Sequence, residues 1–356
     1  MAAITASAAD RPADRLRPVR VWLYCLAALV LAMVALGGIT RLTDSGLSIT
    51  EWKPISGILP PLSVADWDAE FEAYKRIPEY QIQNLHFSLA DFQFIFWWEW
   101  AHRFLGRVIG FAFAIPFVIF LFQRRFSWKL ATPLAVLFVL GGFQGLLGWW
   151  MVTSGLSARI DVSQYRLAAH LTAAAVLFIA LVFVARRLED QPRDPGAGSR
   201  WPAVILLGLL LLQIAAGGFV AGLDAGLSHN TWPLMDGRII PRGLDELDPL
   251  WRNLFENHTT VQFIHRGLAY LIVVYVAVLA WLQSRAGGFA GINGWLPRIG
   301  LLILLQAALG VATLLAAVPI SLALGHQALA FMLAGLTAAW LADLWNAKKG
   351  SLLSLR

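Results

Sequence analysis

A chain of 356 residues that is 58% hydrophobic and only 14% charged cannot cover a water-soluble surface with polar side chains. Its single cysteine, Cys25, excludes an intrachain disulfide and a cysteine-rich metal site, so any redox chemistry must come with a bound cofactor. The net charge of +6, from 28 basic and 22 acidic residues, lies mostly in the stretches between apolar runs, which argues for membrane topology and against nucleic acid as a partner.

In chain order, apolar runs recur at the roughly 20-residue length that about 30 Å of hydrocarbon demands of a helix, whereas a membrane barrel would show shorter alternating segments. They predict an all-α integral membrane protein with eight transmembrane helices, at 21–39, 93–121, 131–152, 166–185, 201–222, 261–283, 298–318 and 321–343. An even number of spans puts both termini on one side. Positive charge concentrates in the tail 1–20 (Arg11, Arg15, Arg17, Arg20), in the loop after the second span (Arg124, Arg125, Lys129), in the linker 186–200 (Arg186, Arg187, Arg193, Arg200) and in the tail 344–356 (Lys348, Lys349). The positive-inside rule makes these segments cytoplasmic, as in a multi-pass protein of a bacterial inner membrane. No small-residue cleavage signature follows the first span, which is expected to be retained. Segments 40–92 and 223–260 then face outward. The first carries Asp44, Glu51, Asp66, Asp68, Glu70, Glu72, Glu79 and Asp91 among aromatics, the composition of a folded cap rather than a tether.

An internal repeat organises the spans. A shift of 180 residues lays Gly37-Gly38, Asp44, Gly46-Leu47-Ser48, Trp52 and Gly57 on Gly217-Gly218, Asp224, Gly226-Leu227-Ser228, Trp232 and Gly237. A shift of 163 lays His102-Arg103 on His265-Arg266, one of 162 lays Gln144 and Gly148 on Gln306 and Gly310, and one of 156 lays His170 on His326. The expected architecture is two four-helix bundles, 21–185 and 201–343, arranged as parallel repeats about an axis along the membrane normal. Each bundle can hold a cofactor among its facing side chains.

Four of the seven histidines, His102, His170, His265 and His326, fall near the starts of spans two, four, six and eight, two in each half. All four then lie at similar depth near the outer surface. Two helices can place imidazoles on opposite faces of a planar macrocycle where one helix cannot, so the expected arrangement is one bis-histidine heme site per half: His102 with His170, and His265 with His326. The alternative is four buried histidines hydrogen-bonded between helices, against which their repeat-related placement argues. His86, His229 and His258 fall in outer loops and receive no role. Arg103 and Arg266 each follow a candidate ligand and either pair with heme propionates or snorkel to the interface. The glycines of GGFQGLLG (141–148) are expected to allow close helix packing, and Trp97, Trp98 and Trp100 to lie near the site. Glu99 precedes His102 by three residues on the same helical face, while its repeat counterpart is Gln262. The half with the acid is therefore the expected seat of chemistry, with Glu99 suited to proton transfer or to a structural pairing at the interface.

The runs GGITRLTDSGLSITEWKPISG (37–57) and FWWEWAHRFLGR (96–107), AAHLTAA around His170, FIHRGLAY (263–270) and GHQAL (325–329) closely resemble the heme A synthase family, over nearly the whole membrane region. The resemblance implies an enzyme that oxidises a ring methyl of heme O, through a hydroxymethyl intermediate, to the formyl group of heme A for cytochrome oxidase. It implies a b-type heme in the C-terminal half, on His265 and His326, and heme O as the substrate in the N-terminal half, near His102, His170 and Glu99. Heme O synthase, cytochrome oxidase assembly factors, membrane lipid and a second copy of the chain are the partners it suggests. Some bacterial members carry a cysteine pair in the first outer loop. This chain has none, so it is similar to the longer-looped branch of proteobacteria and mitochondria. The histidine pattern by itself also suits a di-heme, quinol-linked electron carrier or a heme transporter.

Overall fold

The structure is a computed structural model that describes residues 12–157, 159–189, 199–285 and 294–349; Arg11, Arg193 and the end of the C-terminal tail lie outside the described residues, as do the side chains of Lys348 and Lys349. Its helices are α1 (Pro12–Leu42), α2 (Val64–Tyr74), α3 (Pro78–Ile82), α4 (Leu89–Phe122), α5 (Trp128–Val152), α6 (Gln164–Arg187), α7 (Trp201–Gly222), α8 (Asn253–Glu256), α9 (His258–Arg285), α10 (Trp295–Leu315) and α11 (Ile320–Lys349). Eight of them, α1, α4, α5, α6, α7, α9, α10 and α11, are long and apolar enough to cross a membrane, and no strand occurs among the described residues. The chain is an all-α, multi-pass integral membrane protein.

Helix ends extend past the hydropathy pattern where local chemistry allows. α4 starts at Leu89, ahead of the apolar run, because Ser88 and Asp91 form a capping box: Asp91 N–H donates to Ser88 Oγ (3.3 Å) and Ser88 N–H donates to Asp91 Oδ2 (2.9 Å). α1 already begins at Pro12 and α11 continues to Lys349, so helix reaches into both segments read as tails. α10 stops at Leu315, short of the expected 318. Ala317 and Val318 sit in the left-handed region (φ 56° and 58°) and Pro319 follows, so the helix cannot continue.

The first four spans pack as α1 on α4 and α6, with α5 on α4 and α6; the last four repeat this as α7 on α9 and α11, with α10 on α9 and α11. The two sets meet through α6 on α7, α1 on α11 and α6 on α11. α6 and α7 approach closely because Gly218 and Gly222 face α6: an added Cβ would lie 2.8 Å from Ala168 Cα and 2.7 Å from Gln164 Cα. The glycines expected to play that part do not. Nothing lies within 4 Å of a Cβ at Gly141, Gly142 or Gly145.

The ends of the bundle differ in character. At one end Arg15 donates to the Arg124 carbonyl, Arg186 pairs with Asp343 (2.8 Å), and Trp295 Nε1 donates to the same carboxylate (3.1 Å). The start of α1, the α4–α5 turn, the end of α6, the start of α10 and the end of α11 thus gather together. At the opposite end, segment 40–92 folds as a cap with its own core, in which Leu47, Ile49, Phe71, Tyr74, Phe92 and Phe96 are buried. There Arg41 ties the two sets of spans together, donating to Asp44 Oδ1 (3.0 Å), to Asp224 Oδ2 (2.8 Å) and to the Ala221 carbonyl (3.1 Å). Asp44 and Asp224 are repeat counterparts, both left-handed (φ 48° and 50°). One arginine serves both because its own counterpart is Ala221.

Candidate functional site

His265 on α9 and His326 on α11 face each other, with ring centroids 6.4 Å apart and planes inclined by 71°. Two metal–imidazole bonds of about 2.0 Å, plus about 1 Å from each ring nitrogen to its ring centre, sum to about 6 Å. The pair is therefore spaced for one metal between the rings. A glycine lies against each ring: an added Cβ would be 3.3 Å from His265 Cε1 at Gly217 of α7, and 2.7 Å from His326 Cε1 at Gly310 of α10. Gln213 and Gln306 stand one turn before these glycines. Gln213 Nε2 donates to the His265 carbonyl (3.1 Å) and lies 3.2 Å from the ring nitrogens; Gln306 Nε2 donates to the His326 carbonyl (3.0 Å). Gly310→Ala should push the His326 ring aside, since 2.7 Å is too short for any real contact. The expected result is a loss of about 1–3 kcal/mol of stability, read as a lower unfolding temperature.

In the first four spans, His102 on α4 rests against Gly37 of α1, where a Cβ would lie 2.9 Å from Cε1, and His170 on α6 rests against Gly148 of α5, at 3.3 Å. Both Nδ1 atoms are buried without a hydrogen-bond partner, as is that of His326. Unpaired buried ring nitrogens suit groups that bind something the protein itself does not supply.

Glu99 is buried and fully bonded. Its Oε2 accepts from Ser48 Oγ (2.8 Å) and Ile49 N–H (2.7 Å), and its Oε1 accepts from Arg103 Nε (3.1 Å) and Nη2 (2.6 Å). Arg103 also donates to the carbonyls of Ile49 (2.9 Å) and Glu51 (3.1 Å). The repeat counterparts reproduce the clamp: Arg266 donates to the carbonyls of His229 (2.7 Å) and Thr231 (2.9 Å) and to Gln262 Oε1 (3.3 Å). The acid and the amide, however, meet loops of opposite polarity. Glu99 receives a backbone N–H and a hydroxyl, whereas Gln262 Nε2 donates to the carbonyls of Ala225 (2.9 Å) and His229 (3.3 Å). Both arginines thus hold the connecting loops onto the histidine-bearing helices, a use the sequence did not disclose. Arg107, one turn beyond Arg103, extends the clamp to the carbonyls of Lys53 (2.9 Å) and Pro54 (2.9 Å).

Trp97 packs on Trp67 (5.7 Å between centroids) and Trp100 stacks on Phe104 (4.9 Å), in an aromatic cluster between cap and α4. The tryptophan that reaches the clamp is Trp52, with Arg103 Cζ 5.6 Å above its ring and Trp149, next to Gly148, 6.3 Å away. The 180-residue repeat marks Trp52, but without a contact it names no role. His229 is held by Asp236 (2.6 Å) and Thr259 (3.1 Å), a loop-packing histidine.

Above the clamp, Glu79 on α3 is 2% exposed, with Oε2 unpartnered. Burial, and then the charges of Asp44, Glu99 and Asp161, push its carboxyl up to about 8, against a hydrogen bond from Tyr74. A raised folded pKa means the folded chain keeps a proton the unfolded chain has lost, so the stabilisation is present below about 4.5 and disappears as pH rises through about 8. The unfolding temperature should fall across that window, and Glu79→Gln should flatten the dependence.

Fold and site together describe a polytopic helical membrane protein with four repeat-related histidines, two of them 6.4 Å apart, on helices to which arginines clamp the connecting loops. The model of the family described as cytochrome oxidase assembly protein matches residues 20–338, and the chain belongs to that family. It is 55% identical over 315 residues to a heme A synthase of Azorhizobium caulinodans, covering 87% of this chain and 89% of that one. It is 50% identical over 334 residues to a heme A synthase of Chelativorans (94% and 91%), and 49% identical over 356 residues to one of Rhodopseudomonas palustris (98% and 96%).

Proposed function

We propose that this chain is a heme A synthase, oxidising a ring methyl of heme O to the formyl group of heme A. The observation that carries the reading is identity at about half of all positions, over about nine-tenths or more of both chains, with proteins bearing that name. The first and last four spans act as two parallel-repeat bundles, a reading supported by their repeated neighbour pattern. His265 and His326 hold a b-type heme, for which their 6.4 Å spacing fits. Heme O, the substrate, binds between His102 and His170. The bound hemes supply the redox chemistry. What the chain adds is position: glycines clear space beside each ring, and the Glu99–Arg103 and Gln262–Arg266 clamps fix the outer loops over the sites. Glu99 is a positioning and charge-holding group in this arrangement, its carboxylate satisfied by four donor contacts. The arginine-rich end faces the cytoplasm of a bacterial inner membrane and the cap faces outward. The reaction places a heme O supplier and a heme A acceptor among the partners. Expression in a strain lacking heme A synthase should restore its cytochrome oxidase activity; a strain still lacking heme A would overturn the reading.

A further inference from the structure

All four histidines meet the same device on a neighbouring span, a glycine under the ring and a longer side chain one turn earlier. The pairs are Met33 and Gly37, Gln144 and Gly148, Gln213 and Gly217, and Gln306 and Gly310. In the C-terminal half both glutamines are bonded to the histidine they adjoin. The N-terminal half breaks the pattern twice. Met33 replaces the first glutamine and cannot donate, and Gln144, counterpart of the bonded Gln306, has both amide atoms buried without a partner. A buried amide with neither hydrogen bond made is destabilising and calls for a partner; among the described residues Gln283, near the end of α9, is the other glutamine in that state.

Gln144 lies one turn from Gly148, against which the His170 ring rests. We propose that Gln144 reads the oxidation state of the substrate's ring carbon, hydrogen-bonding the oxygen that the first oxidation places there. This rests on the reading of the N-terminal half as the heme O site. A methyl group neither donates nor accepts, a formyl oxygen only accepts, and a hydroxymethyl group does both, as an amide does. The half holding Gln144 therefore binds the hydroxymethyl intermediate more tightly than the product, and the product more tightly than heme O. Such an order retains the intermediate for its second oxidation and lets the aldehyde leave.

The test uses the full-length chain in nanodiscs, already carrying its resident heme, titrated with heme O and separately with its hydroxymethyl derivative by difference absorbance. The wild type should bind the hydroxymethyl heme about tenfold tighter, the difference one buried hydrogen bond makes. Gln144→Met should abolish that preference with less than about a twofold change for heme O. Gln144→Glu, which still accepts and fills the same space, should keep part of it and covers the case in which the methionine variant fails to fold. An unchanged preference in Gln144→Met, or equal weakening of both ligands, would overturn the assignment. If the wild type binds no heme O beyond its resident heme, the functional reading falls and this inference with it.

Discussion

His265→Ala or His326→Ala should prevent the C-terminal half from holding the proposed b-type heme, lowering heme per purified chain by at least about tenfold, because no apolar neighbour can replace a ligating imidazole. The neighbouring amide groups of Gln213 and Gln306 already donate to the backbone carbonyls of these two histidines. His102→Ala and His170→Ala should leave that absorption intact while abolishing conversion of heme O. A variant at His265 or His326 with an unchanged low-spin spectrum would refute the pairing, and wild-type heme A from either N-terminal variant would refute the substrate site.

Glu99→Gln should be nearly as damaging, for a reason visible only in three dimensions. The Ile49 N–H and the Ser48 hydroxyl point at Oε2, and Arg103 occupies Oε1, so an amide must turn its NH2 toward a donor whichever way it flips. The loss should be on the order of 2 kcal/mol in stability and about a hundredfold in heme O conversion. The reciprocal Gln262→Glu aims a carboxylate at the carbonyls of Ala225 and His229, acceptor against acceptor. It should cost stability while activity per bound heme stays near normal. Fully active Glu99→Gln beside a Gln262→Glu with an altered product ratio would put the chemistry in the other half.

The spans were legible because hydrocarbon imposes one length on every helix that crosses it, and the histidines because the repeat gave each a counterpart. Two kinds of feature were not. Helix ends such as Leu89 are set by a cap such as Ser88–Asp91 rather than by hydropathy. The clamps join residues about fifty apart, Arg103 to Ile49 and Glu51, whose pairing depends on how the cap folds back over α4. Glu99 was visible as an unusual acid, but its four donor contacts, two of them from a loop some fifty residues earlier, were not. Gly148 shows the same limit, since it clears room for the His170 ring where spacing alone suggested helix packing.

The most direct test is extraction of pigments from cells that make this chain together with a heme O synthase and no other heme A synthase. Heme A should appear with the wild-type chain and be replaced by heme O with His102→Ala. Heme O alone in both cultures, with two b-type hemes retained by the purified wild type, would make the protein an electron carrier and contradict the account.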